Sequence, residues 1–130
     1  MSIVWQARKP RVLIVDDNDD NRSTLADLLA HDGYDVGVAA EGDEALKAQE
    51  ASPFDVVVTD IFMPVRDGIE TIRLFRARYP RTRIIAVSGS NPVNVDYLAL
   101  SMELGADRIL RKPFHVTALK VALEEVLRAT

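Results

Sequence analysis

The sequence predicts an α/β fold in which a parallel sheet carries helices on both faces. Three observations support this. Short apolar runs alternate with longer segments of helical spacing, in the order βαβαβαβαβα. Three of the runs are β-branched and nearly continuous, which suits strands buried on both sides. The helical segments are bounded by Gly or Pro.

The first strand is Val12-Leu13-Ile14-Val15. The helix after it shows Leu25, Leu28 and Leu29 at i, i+3, i+4 spacing and stops near His31-Asp32-Gly33, where Gly33 suits a helix end. A weaker second run is Asp35-Val36-Gly37-Val38-Ala39. The next helix, Glu41 to Glu50, carries Ala45, Leu46 and Ala48, and Pro53 comes after it. Phe54-Asp55-Val56-Val57-Val58 makes the third strand, which ends at Thr59-Asp60. A helix over Gly68 to Tyr79 carries Ile69, Ile72 and Phe75 ahead of Pro80. Ile84-Ile85-Ala86-Val87 is the fourth strand and ends at Ser88. The segment Asn94 to Leu104 carries Tyr97, Leu98 and Leu104 and meets Gly105. Arg108-Ile109-Leu110 is the fifth strand, ending at Lys112, and Val116, Leu119, Leu123 and Val126 mark the last helix. Right-handed crossovers leave few topologies for this order.

The chain has 130 residues, 48% hydrophobic and 28% charged. That size and balance suit one globular domain with its own core. Residues 1–9 read as a short N-terminal extension and 10–130 as the domain, with no room for an output domain. Without cysteine there is no disulfide framework, no thiolate metal site and no thiol nucleophile. A net charge of -4 disfavours direct nucleic-acid binding. No apolar stretch approaches the roughly 18 residues of a spanning helix. The segment MSIVWQARKP lacks the apolar centre of a signal peptide. The expectation is a cytoplasmic protein with no membrane insertion. Neither a GxxxxGK[ST] loop nor a nucleophile elbow is present, so ATP binding and serine hydrolysis have no support.

In an open parallel sheet, ligands bind beyond the carboxyl ends of the strands. The residues that end or succeed the strands include Asp16 and Asp17, Asp60, Ser88 and Lys112, and the fold would gather them at one edge. Three close carboxylates repel one another, so the group calls for a cation. Mg²⁺ is a hard ion that takes one or two carboxylates together with phosphate oxygens and water. Asp17 and Asp60 are placed to ligate it directly and Asp16 through water. A carboxylate is also a nucleophile that can form an aspartyl phosphate. Lys112 would then stabilise the charge of the transferring group, and Ser88 would hydrogen-bond a phosphoryl oxygen.

Asp16-Asp17, the run from Asp60 through Met63-Pro64 to Gly68, Ser88 and Lys112-Pro113-Phe114 together resemble the receiver domain of two-component response regulators, over roughly residues 10–128. The resemblance implies a flavodoxin-like sheet of order 2-1-3-4-5. It implies phosphotransfer to Asp60 from a phosphohistidine on a sensor histidine kinase or histidine phosphotransfer protein. Asp17, Asp60 and the carbonyl of Phe62 would bind Mg²⁺, Ser88 would be the switch hydroxyl, and the Lys112–Pro113 bond would be cis. A downstream protein would read the face of helix 4, strand 5 and helix 5, and homodimerisation stays open. Such a domain is no enzyme beyond its own phosphorylation and dephosphorylation. Two departures from the family pattern stand out. Ile109 stands where an aromatic residue usually moves with the switch hydroxyl, and its χ1 is stiff. Phe62 and Ser90 occupy the positions two beyond Asp60 and Ser88; Phe62 cannot orient an attacking water, which predicts slow self-dephosphorylation.

Plainer readings compete with these. Asp19 or Asp20 is expected to cap the first helix. The alternation Asp16-x-Asn18-x-Asp20 faintly resembles a calcium loop, but Asn21 stands in place of the Gly and Asp27 in place of the bidentate Glu. His31 is expected at a helix end, in contact with dipole or solvent, and His115 is expected to be structural. Arg66, Arg73, Arg76, Arg78, Arg81 and Arg83 read as a solvated basic face. The rival functional readings are an inactive receiver-like interaction module and a phosphatase working through an aspartyl intermediate.

Overall fold

The computed structural model describes residues 9–61, 68–89 and 97–128. Strands and helices alternate as β1 (Arg11–Val15), α1 (Asp19–His31), β2 (Asp35–Ala39), α2 (Gly42–Ala51), β3 (Val56–Asp60), α3 (Gly68–Arg78), β4 (Arg83–Ser88), α4 (Tyr97–Leu104), β5 (Arg108–Arg111) and α5 (Val116–Arg128). The five strands pair in parallel in the order β2-β1-β3-β4-β5, the topology that the resemblance implied.

Successive side chains of a strand point to opposite faces, and the core is divided accordingly. Leu13, Val15, Val57, Ile84 and Ala86 pack on one face with Ala45 and Leu46 of α2 and Ile72 and Phe75 of α3. Val12, Ile14, Val56, Val58, Ile85 and Val87 pack on the other with Leu29 of α1 and Leu119, Leu123 and Val126 of α5. The three runs that read as doubly buried are the three central strands. The weaker runs, β2 and β5, are the sheet edges.

The helix ends follow local chemistry. Gly33 has φ +99° and Gly105 φ +120°, in the left-handed region that favours glycine. At each, two hydrogen bonds close the last turn: Gly33 and Tyr34 N–H donate to the Ala30 and Leu29 carbonyls, and Gly105 and Ala106 N–H to those of Met102 and Ser101. At the start of α2, Glu41 accepts from the Glu44 N–H and Glu44 accepts from that of Ala40, a reciprocal cap.

Two expectations need correction. Asn18, not Asp19 or Asp20, caps α1; its side chain accepts from the Asn21 N–H at 2.9 Å, while Asp19 and Asp20 lie in the first turn facing the helix dipole. Leu28 is 41% exposed while Leu29 is buried. A helix flanked by a neighbour on one side buries a narrow stripe, so only one of two adjacent leucines faces the sheet.

Candidate functional site

Parallel register brings the site together. Val15 lies opposite Thr59, Asp60 opposite Val87 and Ser88 opposite Arg111. The residues at or just beyond these positions, Asp16, Asp60, Ser88 and Lys112, therefore share the carboxyl edge. Backbone bonds continue the ladder through them: Asp16 N–H donates to the Ala39 carbonyl at 3.1 Å, Ile61 N–H to Val87 at 2.9 Å and Lys112 N–H to Ser88 at 2.7 Å.

The Lys112 ammonium lies 2.8 Å from Asp60 Oδ2 and 3.5 Å from Asp16 Oδ2. Asp16 and Asp60 are buried and Asp17 is exposed, and one carboxylate oxygen of each lies within 4.8 Å of the others. Burial alone would lower the Lys112 pKa; the hydrogen bond and charge of Asp60, with the charge of Asp16, outweigh it and leave it raised. Among the described residues three carboxylates gather around one ammonium, two of the carboxylates withdrawn from solvent. This donor set, hard oxygens with one face open, fits Mg²⁺. A groove of about 550 Å³ runs from the site between α1 and the segment after β5, lined by Asp20, Thr24, Leu25, Pro113 and Phe114 among others.

Ser88 is buried, and its hydroxyl donates to the Gly89 carbonyl at 3.1 Å. The Lys112–Pro113 bond is cis. Phe62 lies outside the described residues, as do Met63 to Asp67, Ser90 and the segment 91–96. Ile109 is 38% exposed on β5. His115, exposed just ahead of α5, accepts the Thr117 N–H at 3.2 Å.

Three features were missed in the sequence, two at the site and one away from it. Gly68 starts α3 directly against the end of β3: a Cβ there would sit 2.5 Å from Ile61 Cα and still closer to the Asp60 carbonyl. Its N–H donates to the Ile61 carbonyl at 2.7 Å. Only glycine lets the helix approach the strand so closely; Gly68 was visible in the motif, but not its reason. Arg22 reaches back from α1 to the Asp16 carbonyl at 2.7 Å and to Asp19. Arg76 is no member of a solvated basic face: it donates twice to the Gly105 carbonyl, once to that of Pro80 and once to Asp107. Contacts reached across 29 and 31 residues leave no trace in local sequence pattern.

Residues 12–124 match the response regulator receiver domain family. The transcriptional regulatory protein PrrA of Mycobacterium tuberculosis is 35% identical over 119 residues, which are 92% of this chain and 50% of that protein. The transcriptional regulatory protein CpxR of Escherichia coli is 32% identical over 118 residues, 91% of this chain and 49% of that one. The chain thus spans about half the length of these curated relatives. Among solved structures, the chemotaxis protein CheY4 of Vibrio cholerae superposes with a TM-score of 0.81 at 32% identity, covering 92% of this chain and 99% of that one. The receiver domain of NtrX from Brucella abortus superposes with a TM-score of 0.85 at 26% identity, covering 92% and 99%.

Proposed function

The chain belongs to the response regulator receiver domain family, and from that premise we propose that it is a phosphoacceptor switch taking a phosphoryl group on Asp60. The observation that carries this is the convergence of Asp16, Asp60 and Lys112 from three strand ends, with the ammonium 2.8 Å from the Asp60 carboxylate. In the proposed step a carboxylate oxygen of Asp60 forms a bond to phosphorus. The phosphorus–nitrogen bond of a phosphohistidine breaks, and the leaving imidazole takes its proton from solvent. Lys112, already beside the accepting oxygen, offsets negative charge as the bond forms. Asp17, Asp60 and the Phe62 carbonyl are the proposed ligands of Mg²⁺, with Asp16 holding it through water; when bound it would offset charge on the phosphoryl oxygens. Ser88 is the proposed switch hydroxyl: it exchanges its bond to the Gly89 carbonyl for one to the phosphoryl group, moving the end of β4.

The proposed donor is a sensor histidine kinase or histidine phosphotransfer protein. The proposed readout face is α4–β5–α5, where Leu100, Met102, Ile109 and Val121 are exposed; a downstream protein or a second copy would cover it. With Ile109 in the usual aromatic position, readout there proceeds through aliphatic packing. No helix among the described residues is long and apolar enough to cross a membrane, and a cytoplasmic location accords with the proposed donor.

Incubation with Mg²⁺ and acetyl phosphate, followed by intact mass, tests the proposal. One added phosphoryl group, absent in Asp60→Asn, is expected. No modification would instead mark an inactive interaction module. Turnover of the donor without accumulation would mark a phosphatase. Once formed, the phosphoprotein is expected to persist for minutes or longer, because Phe62 offers no polar group to an attacking water; loss within seconds would contradict that role.

A further inference from the structure

We propose that Arg22 is a positioning residue for the cation site, holding the peptide that presents Asp17; this rests on the magnesium reading of the acidic trio. Asp17 is the exposed member of the trio, and among the described residues no side-chain bond engages its carboxylate. Its direction is set by the backbone on either side. On the far side Asn18 is fixed as the cap of α1, and its N–H donates to Asp16 Oδ1 at 2.9 Å. On the near side the joint is the Asp16–Asp17 peptide. A peptide is planar, so anchoring its carbonyl fixes the plane and with it the Asp17 N–H and the bond toward the Asp17 Cα. Arg22 supplies that anchor: Nη1 donates to the Asp16 carbonyl at 2.7 Å.

The guanidinium is built for this task. Its second arm donates to Asp19, one turn back on the same helix, so its planar fork is held at both ends. The Arg22 side chain is only 18% exposed, whereas its Asp19 partner is 86% exposed. An exposed ion pair alone would matter little; the bond to the carbonyl is the one that bears on the site.

Two mechanisms give opposite signs. If Arg22 acted only through its charge, removing a cation beside an acidic cluster would tighten Mg²⁺ binding. If it positions Asp17, removing it weakens binding, because a ligand must then be ordered at the expense of binding energy. Isothermal titration of the whole chain with Mg²⁺ separates them, using wild type, Arg22→Met, Arg22→Lys and, as a folding control, Val126→Ala in the distant part of the core. The expected result is that Arg22→Met weakens Mg²⁺ about tenfold, the low end of what losing an outer-shell partner costs. Arg22→Lys, which keeps the charge without the fork, falls between it and wild type, and Val126→Ala binds as wild type. Unchanged or tighter binding in Arg22→Met overturns the proposal alone, as does an equal loss in Val126→Ala. Failure of the wild type to bind Mg²⁺ overturns the magnesium reading and this proposal with it.

Discussion

At the far ends of β4 and α4, Asp107 meets Arg76 and Arg83; at the carboxyl edge, Asp16, Asp17 and Asp60 meet Lys112. Both are partly buried groups of carboxylates and long cations, and they are built in opposite ways. Asp107 Oδ2 accepts from the Ile84 N–H at 2.8 Å and from Arg76 at 2.9 Å, and the other Arg76 bonds end on main-chain carbonyls. Among the described residues that cluster has more cations than carboxylates, and Arg76 ties α3 to the turn after α4. Among the described residues the carboxyl-edge cluster has more carboxylates than cations, and it opens onto a groove. The Arg76 donors end on the protein's own oxygens and serve packing; the acidic trio at the strand edge is the arrangement that suits a bound cation.

Substitutions can break or sharpen this contrast. The largest effect is expected from Lys112→Met: phosphorylation by acetyl phosphate should fall at least about 100-fold, as when one donor to a developing charge is removed. Mg²⁺ should bind more tightly, since a competing cation has gone. Weaker Mg²⁺ binding would mean that Lys112 builds the site rather than tunes it. Next, Arg76→Met should cost about 2 kcal/mol in urea unfolding, because Asp107 and the Gly105 carbonyl lose partners in a half-buried setting. Phosphorylation should be retained there; its loss would show that the two clusters are coupled. Asp17→Asn should do the reverse on a smaller scale, slightly raising the urea midpoint in Mg²⁺-free buffer by relieving repulsion, while removing the gain in stability that Mg²⁺ gives the wild type.

The smallest effect is expected at Tyr34, far from both clusters. Burial, then the charges of Glu124 and Asp32, raise its pKa. The folded phenol stays protonated where the unfolded one ionises. Stability is therefore unaffected by this group below about pH 10 and declines as pH rises from there through the raised value. Tyr34→Phe removes that decline, so above about pH 10 the wild-type urea midpoint should fall relative to that of the variant. Curves that stay parallel through that range would refute the assignment.

Much of this was legible in sequence because it is local. Runs such as Ile84-Ile85-Ala86-Val87 declare double burial by composition. Gly33 and Gly105 declare helix ends by backbone freedom, and residues at the ends of strands declare the edge where ligands gather. Legibility failed where a residue's role depends on what folds against it. Nothing local distinguishes Leu28 from Leu29, or Asn18 from Asp19 as a cap. The reach of Arg22 to Asp16 and of Arg76 to Gly105 exists only once helices are placed. The closeness of Gly68 to Asp60 is a fact about space rather than pattern.

The main-chain bonds donated by Asp16, Ile61 and Lys112 are the last rungs of the sheet rather than loop contacts. Their amide protons can be released to solvent only when adjacent strands part. The residues of the candidate site are thus mounted on the ends of the sheet rather than on free loops. In a hydrogen-exchange experiment these three amides would report how often the strand ends at the site open.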